Sequence, residues 1–124
     1  MEQIENDFIK LWIEEGIVYG KYKPNIIVDL KAAKKIAEDR ITLSKGKDYP
    51  TLGYLDDLAN VNKEARDFFS TGDGIRNMKK LALLTRSPIS KMLGNFWLQI
   101  SKPVLPSRLF TSEEDAIRWL KEEA

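Results

Sequence analysis

The chain has 124 residues, 43% of them apolar and 31% charged, with a formal net charge of +1. That is the size and balance of one folded domain with its own core, and so small a net charge argues against a dedicated nucleic-acid binder. Cysteine and histidine are both missing, which excludes disulfides, thiol nucleophiles, Cys/His zinc sites, the Ser-His-Asp triad and imidazole proton relays.

Residues 7–14, DFIKLWIE, alternate and predict a strand. Ile9, Leu11 and Ile13 fall on one face; Phe8, Lys10 and Trp12 fall on the other. Glu15-Gly16 reads as a hairpin turn into a second strand, 17–22, which Pro24-Asn25 ends. Asp29 is placed to cap a helix over 30–43, with Leu30, Ala33, Ala37 and Ile41 at helical spacing. Residues 50–58, PTLGYLDDL, read as one strand that dies at the Asp pair. Asn62 caps a second helix with Ala65, Phe68 and Phe69 inward, and STGDG (70–74) breaks it. KLALL (80–84) has the unbroken apolar character of a central strand. Ser87-Pro88 then opens a helix, because a capping hydroxyl precedes a proline at the first helical position. Its stripe of Ile89, Met92, Leu93, Phe96, Trp97 and Ile100 predicts the buried face. VLPSRLF (104–110) reads as a strand, confined by Pro106 to an edge or bulge. Ser112 caps the last helix, in which Ala116, Ile117 and Leu120 face inward and the acids at 113–115 suit the helix dipole.

The order β-β-α-β-α-β-α-β-α predicts an α/β fold in a single domain over 1–124. Its sheet is expected to be mixed and five-stranded: an N-terminal antiparallel hairpin, then βαβα units, with about four helices. No apolar run reaches the roughly 18–20 residues of a membrane span. The start, MEQIENDF, is acidic rather than signal-like, so the expectation is a cytoplasmic protein.

This order and length resemble the STAS/SpoIIAA-like fold of the anti-sigma-factor antagonists, which is related to SEC14-type lipid-carrying domains. The tracts YPTLGYLDDL, ARDFF, SPISKMLGNFWLQISKP and LFTSEEDAIRWLK look like a family of small bacterial STAS/SEC14-like proteins of uncharacterised function. In antagonists of this fold a Ser or Thr after a middle strand is phosphorylated by a partner kinase. The matching place here is DDLANVN (56–62), and no Ser or Thr occurs from Leu52 to Phe69. The resemblance therefore brings the fold without its regulatory hydroxyl.

Open α/β sheets bind partners at the carboxyl ends of their parallel strands. The loops expected there carry Asp56, Asp57, Asn60, Asn62, Thr85, Arg86 and Ser87, a candidate docking or anion-binding cluster. Arg86 and Ser87 at a helix N-terminus offer an anion seat, although Ser87 as a plain cap explains the same residues. Asp56-Asp57 have the carboxylates Mg²⁺ accepts, but neighbours on a strand point to opposite faces. A turn is the simpler reading, and no metal or cofactor is expected. Phe8 and Trp12, on the opposite face from Ile9 and Leu11, form a candidate dimer or packing surface. The leading functional expectation is a non-enzymatic regulatory or protein-interaction domain, able to form a homodimer through its hairpin. The alternative is a small carrier binding a lipid or other apolar ligand beneath the helices. An enzyme would need carboxylates, Lys or Tyr in roles the sequence does not arrange.

Overall fold

Alternation builds the first long strands, as expected, but local chemistry delays them. Asn6 accepts the backbone N–H groups of Phe8 and Ile9 on its side-chain oxygen, at 2.8 and 3.0 Å, and this Asx turn holds residues 6–8 out of the strand. In the computed structural model, which describes residues 2–122, a short β1 (Gln3–Glu5) precedes that turn. It pairs antiparallel with β2 (Ile9–Glu14), which pairs antiparallel with β3 (Ile17–Tyr22). Glu15 and Gly16 between them have φ of 49° and 77°, the left-handed pair that matches the twist of a tight hairpin. The ends of the expected 1–124 domain, Met1, Glu123 and Ala124, lie outside the described residues.

From β3 onward the sheet is parallel. β5 (Tyr49–Tyr54), β7 (Met78–Leu84) and β8 (Ser107–Phe110) follow in register, giving the order β1-β2-β3-β5-β7-β8. The sheet thus has six strands rather than five. β1 is the addition; with Ile4 as its one apolar residue it offers no alternation to read. β8 is an edge strand, as Pro106 demanded, and it starts just after that proline.

The expected strand 50–58 is two strands. β5 stops at Tyr54, and Leu58 N–H returns to the Leu55 carbonyl at 3.0 Å, a turn through Asp56 and Asp57. β6 (Leu58–Val61) then pairs parallel with β4 (Ile26–Val28) in a separate two-stranded sheet. Each of these short strands leads straight into a capped helix, α1 (Leu30–Ser44) or α2 (Lys63–Phe68). The Asp29 and Asn62 side chains accept the N–H of Ala32 and Ala65. Ser87 and Ser112 do the same for α3 (Pro88–Ile100) and α4 (Glu113–Lys121). All four caps fall where the sequence places them.

The helices divide unevenly. Apolar residues of α1, α2 and α3 pack with Ile9, Leu11, Leu81 and Leu83 on one face of the sheet. On the other, Tyr19, Leu52, Ala82 and Leu84 meet α4 through Ala116 and Leu120. Lys80, almost fully buried, sends its ammonium to the Trp119 and Glu122 carbonyls at 2.7 and 3.0 Å. It thereby closes the C-terminal end of α4, where a cation is favoured.

The packing of α3 departs from the expected stripe. The helix buries Ser90, Gly94 and Trp97, while Ile89, Met92, Phe96 and Ile100 are 72%, 72%, 46% and 66% exposed. The cause is close approach. A Cβ on Gly94 would lie 3.0 Å from Leu109 Cδ1 and 3.2 Å from Leu55 Cδ1. Ser90 donates to the Leu55 carbonyl at 3.1 Å, and Trp97 Nε1 to the Arg66 carbonyl at 2.9 Å. Small residues let the backbone press onto β8 and the β5 exit. That turns the larger apolar row outward by about a third of a turn.

Candidate functional site

The strand ends meet as the fold class requires. After β5 comes Leu55–Asp57, and after β7 comes Thr85–Ser87. Asp56 joins the two loops. Its Oδ1 accepts the hydroxyl of fully buried Thr85 and the backbone N–H groups of Arg86 and Ser87 at 3.0 and 3.3 Å. Ser87 N–H also lies 3.1 Å from Thr85 Oγ1. The seat expected for an outside anion at Arg86 and Ser87 is therefore filled by the chain's own carboxylate. Partial burial pushes the Asp56 carboxyl up, but the bonds from Thr85, Arg86 and Ser87, helped by the Arg86 charge, outweigh it and hold the group below its ordinary value.

Four of the seven expected residues thus converge: Asp56, Thr85, Arg86 and Ser87. The other three serve elsewhere. Asp57 turns away, tied by its carbonyl to Asn25 N–H at 2.9 Å. Asn60 is exposed on β6 opposite Ile27, and Asn62 is the α2 cap. Among the described residues no three carboxylates converge as a metal site would need.

Phe8 and Trp12 do not share a surface. The Asn6 turn carries Phe8 to the side of the sheet where α1 packs. Trp12 lies on the α4 side, stacked on Tyr19 with centroids 5.2 Å apart and planes 6° from parallel. Tyr54 extends the row at 6.3 Å from Trp12 and donates its hydroxyl to Glu113. Burial, this acceptor and the nearby acids raise the Tyr54 hydroxyl far above its ordinary value. The expected second covered surface at Trp12 is met, in part, by the chain's own aromatic row and α4.

The surface the sequence reading missed is the outer side of α3. Ile89, Met92, Phe96 and Ile100 form one row, and Val104, 73% exposed, follows them. Arg66 sits over the Phe96 ring at 5.1 Å. Residues 79–108, the stretch that carries the row, hold six basic groups and no acidic one. A signal was present: Ser90, Gly94 and Ser101 recur at i, i+4 and i+11, the spacing of a face built for close contact. No helix among the described residues is long and apolar enough to cross a membrane.

Comparison with known proteins agrees with the architecture. A family model described as a domain of unknown function, DUF7793, matches residues 11–124, and the chain belongs to that family. A solved structure from Shewanella loihica PV-4 is an uncharacterized DUF3478-family protein with a SpoIIAA-like fold. It aligns over 90% of this chain and 91% of its own, with a TM-score of 0.60 and 11% identity. The fold is therefore SpoIIAA-like. A protein of unknown function from Arthrobacter sp. FB24 is 27% identical over 91% of this chain and 99% of its own, with a TM-score of 0.36. No curated protein matches.

Proposed function

We propose that this DUF7793 chain is a non-enzymatic protein-interaction domain that takes an apolar, acid-flanked segment of a partner protein onto the outer side of α3. The observation that carries the reading is the row Ile89, Met92, Phe96 and Ile100, left in solvent by a helix whose other side is packed. Contiguous apolar surface of this kind, rimmed by polar groups, marks an interaction site. Fully covering a side chain of this size is worth about 1.5–3 kcal/mol, so three or four of them supply the core of a specific contact once the costs of association are met. Met92 adds an adaptable side chain. Arg66 over Phe96 and the six basic groups of the acid-free stretch 79–108 favour acidic groups at the rim of the partner. The Asp56 latch holds the first turn of α3 against the β5 exit, which keeps the row pre-organised.

The test places a photo-crosslinking residue at Met92, and as a control at exposed Lys31 of α1, in the cell that makes the protein. The reading expects one partner polypeptide joined at position 92 and not at 31, through an apolar segment flanked by Asp or Glu. Crosslinks from 92 only to a second copy of the chain, only to lipid, or to nothing overturn it.

A further inference from the structure

A second feature lies inside the sheet layer that α1, α2 and α3 cover. Gly20 of β3 and Gly53 of β5 are directly paired in the parallel ladder, and both point to this layer. Gly20 is covered by Ile9 and Leu11, whose side-chain carbons would lie 3.1 and 3.3 Å from an added Cβ, so the open part of the floor is at Gly53. A Cβ on Gly53 would meet nothing closer than 3.7 Å. Glycine weakens a strand interior, and its presence there often marks a place where something approaches the backbone. Above the glycines is a cavity of about 120 Å³, walled by Leu11, Ile36, Leu83 and Trp97 among others.

Two charged side chains line this apolar space: Arg66 of α2, whose Nη1 donates to the Val61 carbonyl at 2.6 Å, and Arg40 of α1, only 5% exposed. Its Nη2 donates to the carbonyls of Asp73 and Arg76, both at 3.2 Å, while its Nε has no hydrogen-bond partner. The carboxylate next to it in sequence, Asp39, is engaged by Lys35 at 3.3 Å and Asn6 at 2.8 Å. Among the described residues no carboxylate is paired with Arg40. Burial pulls its guanidinium down to about 10, against the influence of Tyr22. Tyr22 also lines the space, and burial pushes its hydroxyl up to about 12. A buried cation is ordinarily paired.

We infer that the cavity beneath α1 and α3 is a ligand site for a small amphipathic carboxylate, its apolar body over Gly53 and its anionic group toward Arg40. A cavity of about 150 Å³ accommodates benzene and this one is smaller, about 120 Å³, so the fitting body has about four to five carbons. The site is independent of the α3 surface, and either reading stands if the other falls.

The test is isothermal titration of the full chain with butanoate, pentanoate and, as the uncharged control, pentanol. Wild type is expected to bind a carboxylate at least tenfold tighter than pentanol. Arg40→Met keeps the aliphatic stem without the guanidinium, and should abolish that preference while retaining pentanol. Gly53→Val fills the floor and should bind neither. Gly53→Ala, whose added methyl has room, should shift preference from pentanoate to butanoate and serves if the valine variant does not fold. Equal binding of carboxylate and alcohol by wild type overturns the assignment. So does wild-type affinity in both Gly53 variants, or no binding of any probe at millimolar concentration.

Discussion

Replacing Asp56 with Ala tests the latch between the two loops. The substitution removes one oxygen that serves three donors. Hydrogen bonds to a charged group contribute about 1.5–3 kcal/mol each where buried, and Thr85 is fully buried. Its only other acceptor is the Ser87 carbonyl, 3.5 Å away, too long to replace the carboxylate. The two backbone donors are exposed and can turn to water, so about 0.5 kcal/mol each is a fair share. The expected loss is therefore about 2.5–4 kcal/mol, read as a lower urea midpoint at unchanged slope. Asp56→Asn keeps an acceptor oxygen and should lose about half as much. Asp56→Gly empties the seat, so added formate should recover stability, by about 1.4 kcal/mol at tenfold above its dissociation constant. If Asp56→Ala stays within about 0.5 kcal/mol of wild type, as a surface change would, the latch is not a stabilising contact and the reasoning fails.

Acid unfolding should show the same group. Because the folded state holds the Asp56 carboxyl below its ordinary value, its contribution is complete above about pH 4 and is lost as pH falls through the folded value. Wild type should lose more urea midpoint between pH 5 and pH 2 than Asp56→Asn; parallel curves would contradict this. Lys80→Met should cost about 1–3 kcal/mol in thermal or urea unfolding, since the last carbonyls of α4 lose a buried cationic donor. An unchanged melting curve would show that α4 does not depend on this closure. Met92→Ser should leave stability within about 0.5 kcal/mol, whereas Trp97→Ala should cost about 3–5 kcal/mol. The reverse order would place the α3 row in the core after all.

The features legible in the sequence are those decided within a few residues. Asp29, Asn62, Ser87 and Ser112 each cap a helix through an N–H three positions on, so local composition suffices. The hairpin at Glu15-Gly16 is legible for the same reason. What escaped is decided at a distance. β4 and β6 are three and four residues long and find each other across more than 30 positions, leaving no periodic trace. Hydrophobic spacing shows that α3 has an apolar stripe, but not whether this chain covers it. The fit of Gly94 against Leu55 and Leu109 settles that. The candidate cluster is half legible: Asp56 and Thr85 stand at expected strand ends, but their contact spans 29 positions. Arg40 is readable in the same way. It follows Ala33 and Ala37 on the face that packs inward, a place where a cation calls for a partner.

The edges of the large sheet restrict what can join it. Its long strands β2, β3, β5 and β7 are all interior, and its borders are β1, three residues long, and β8, four residues long with a proline before it. Few free backbone groups remain there for an added strand, so growth of the ladder by another chain gains little. Under the proposed reading, recognition falls instead to side chains. Association at α3 should then have the heat-capacity signature of apolar burial, a binding enthalpy that becomes more negative as temperature rises.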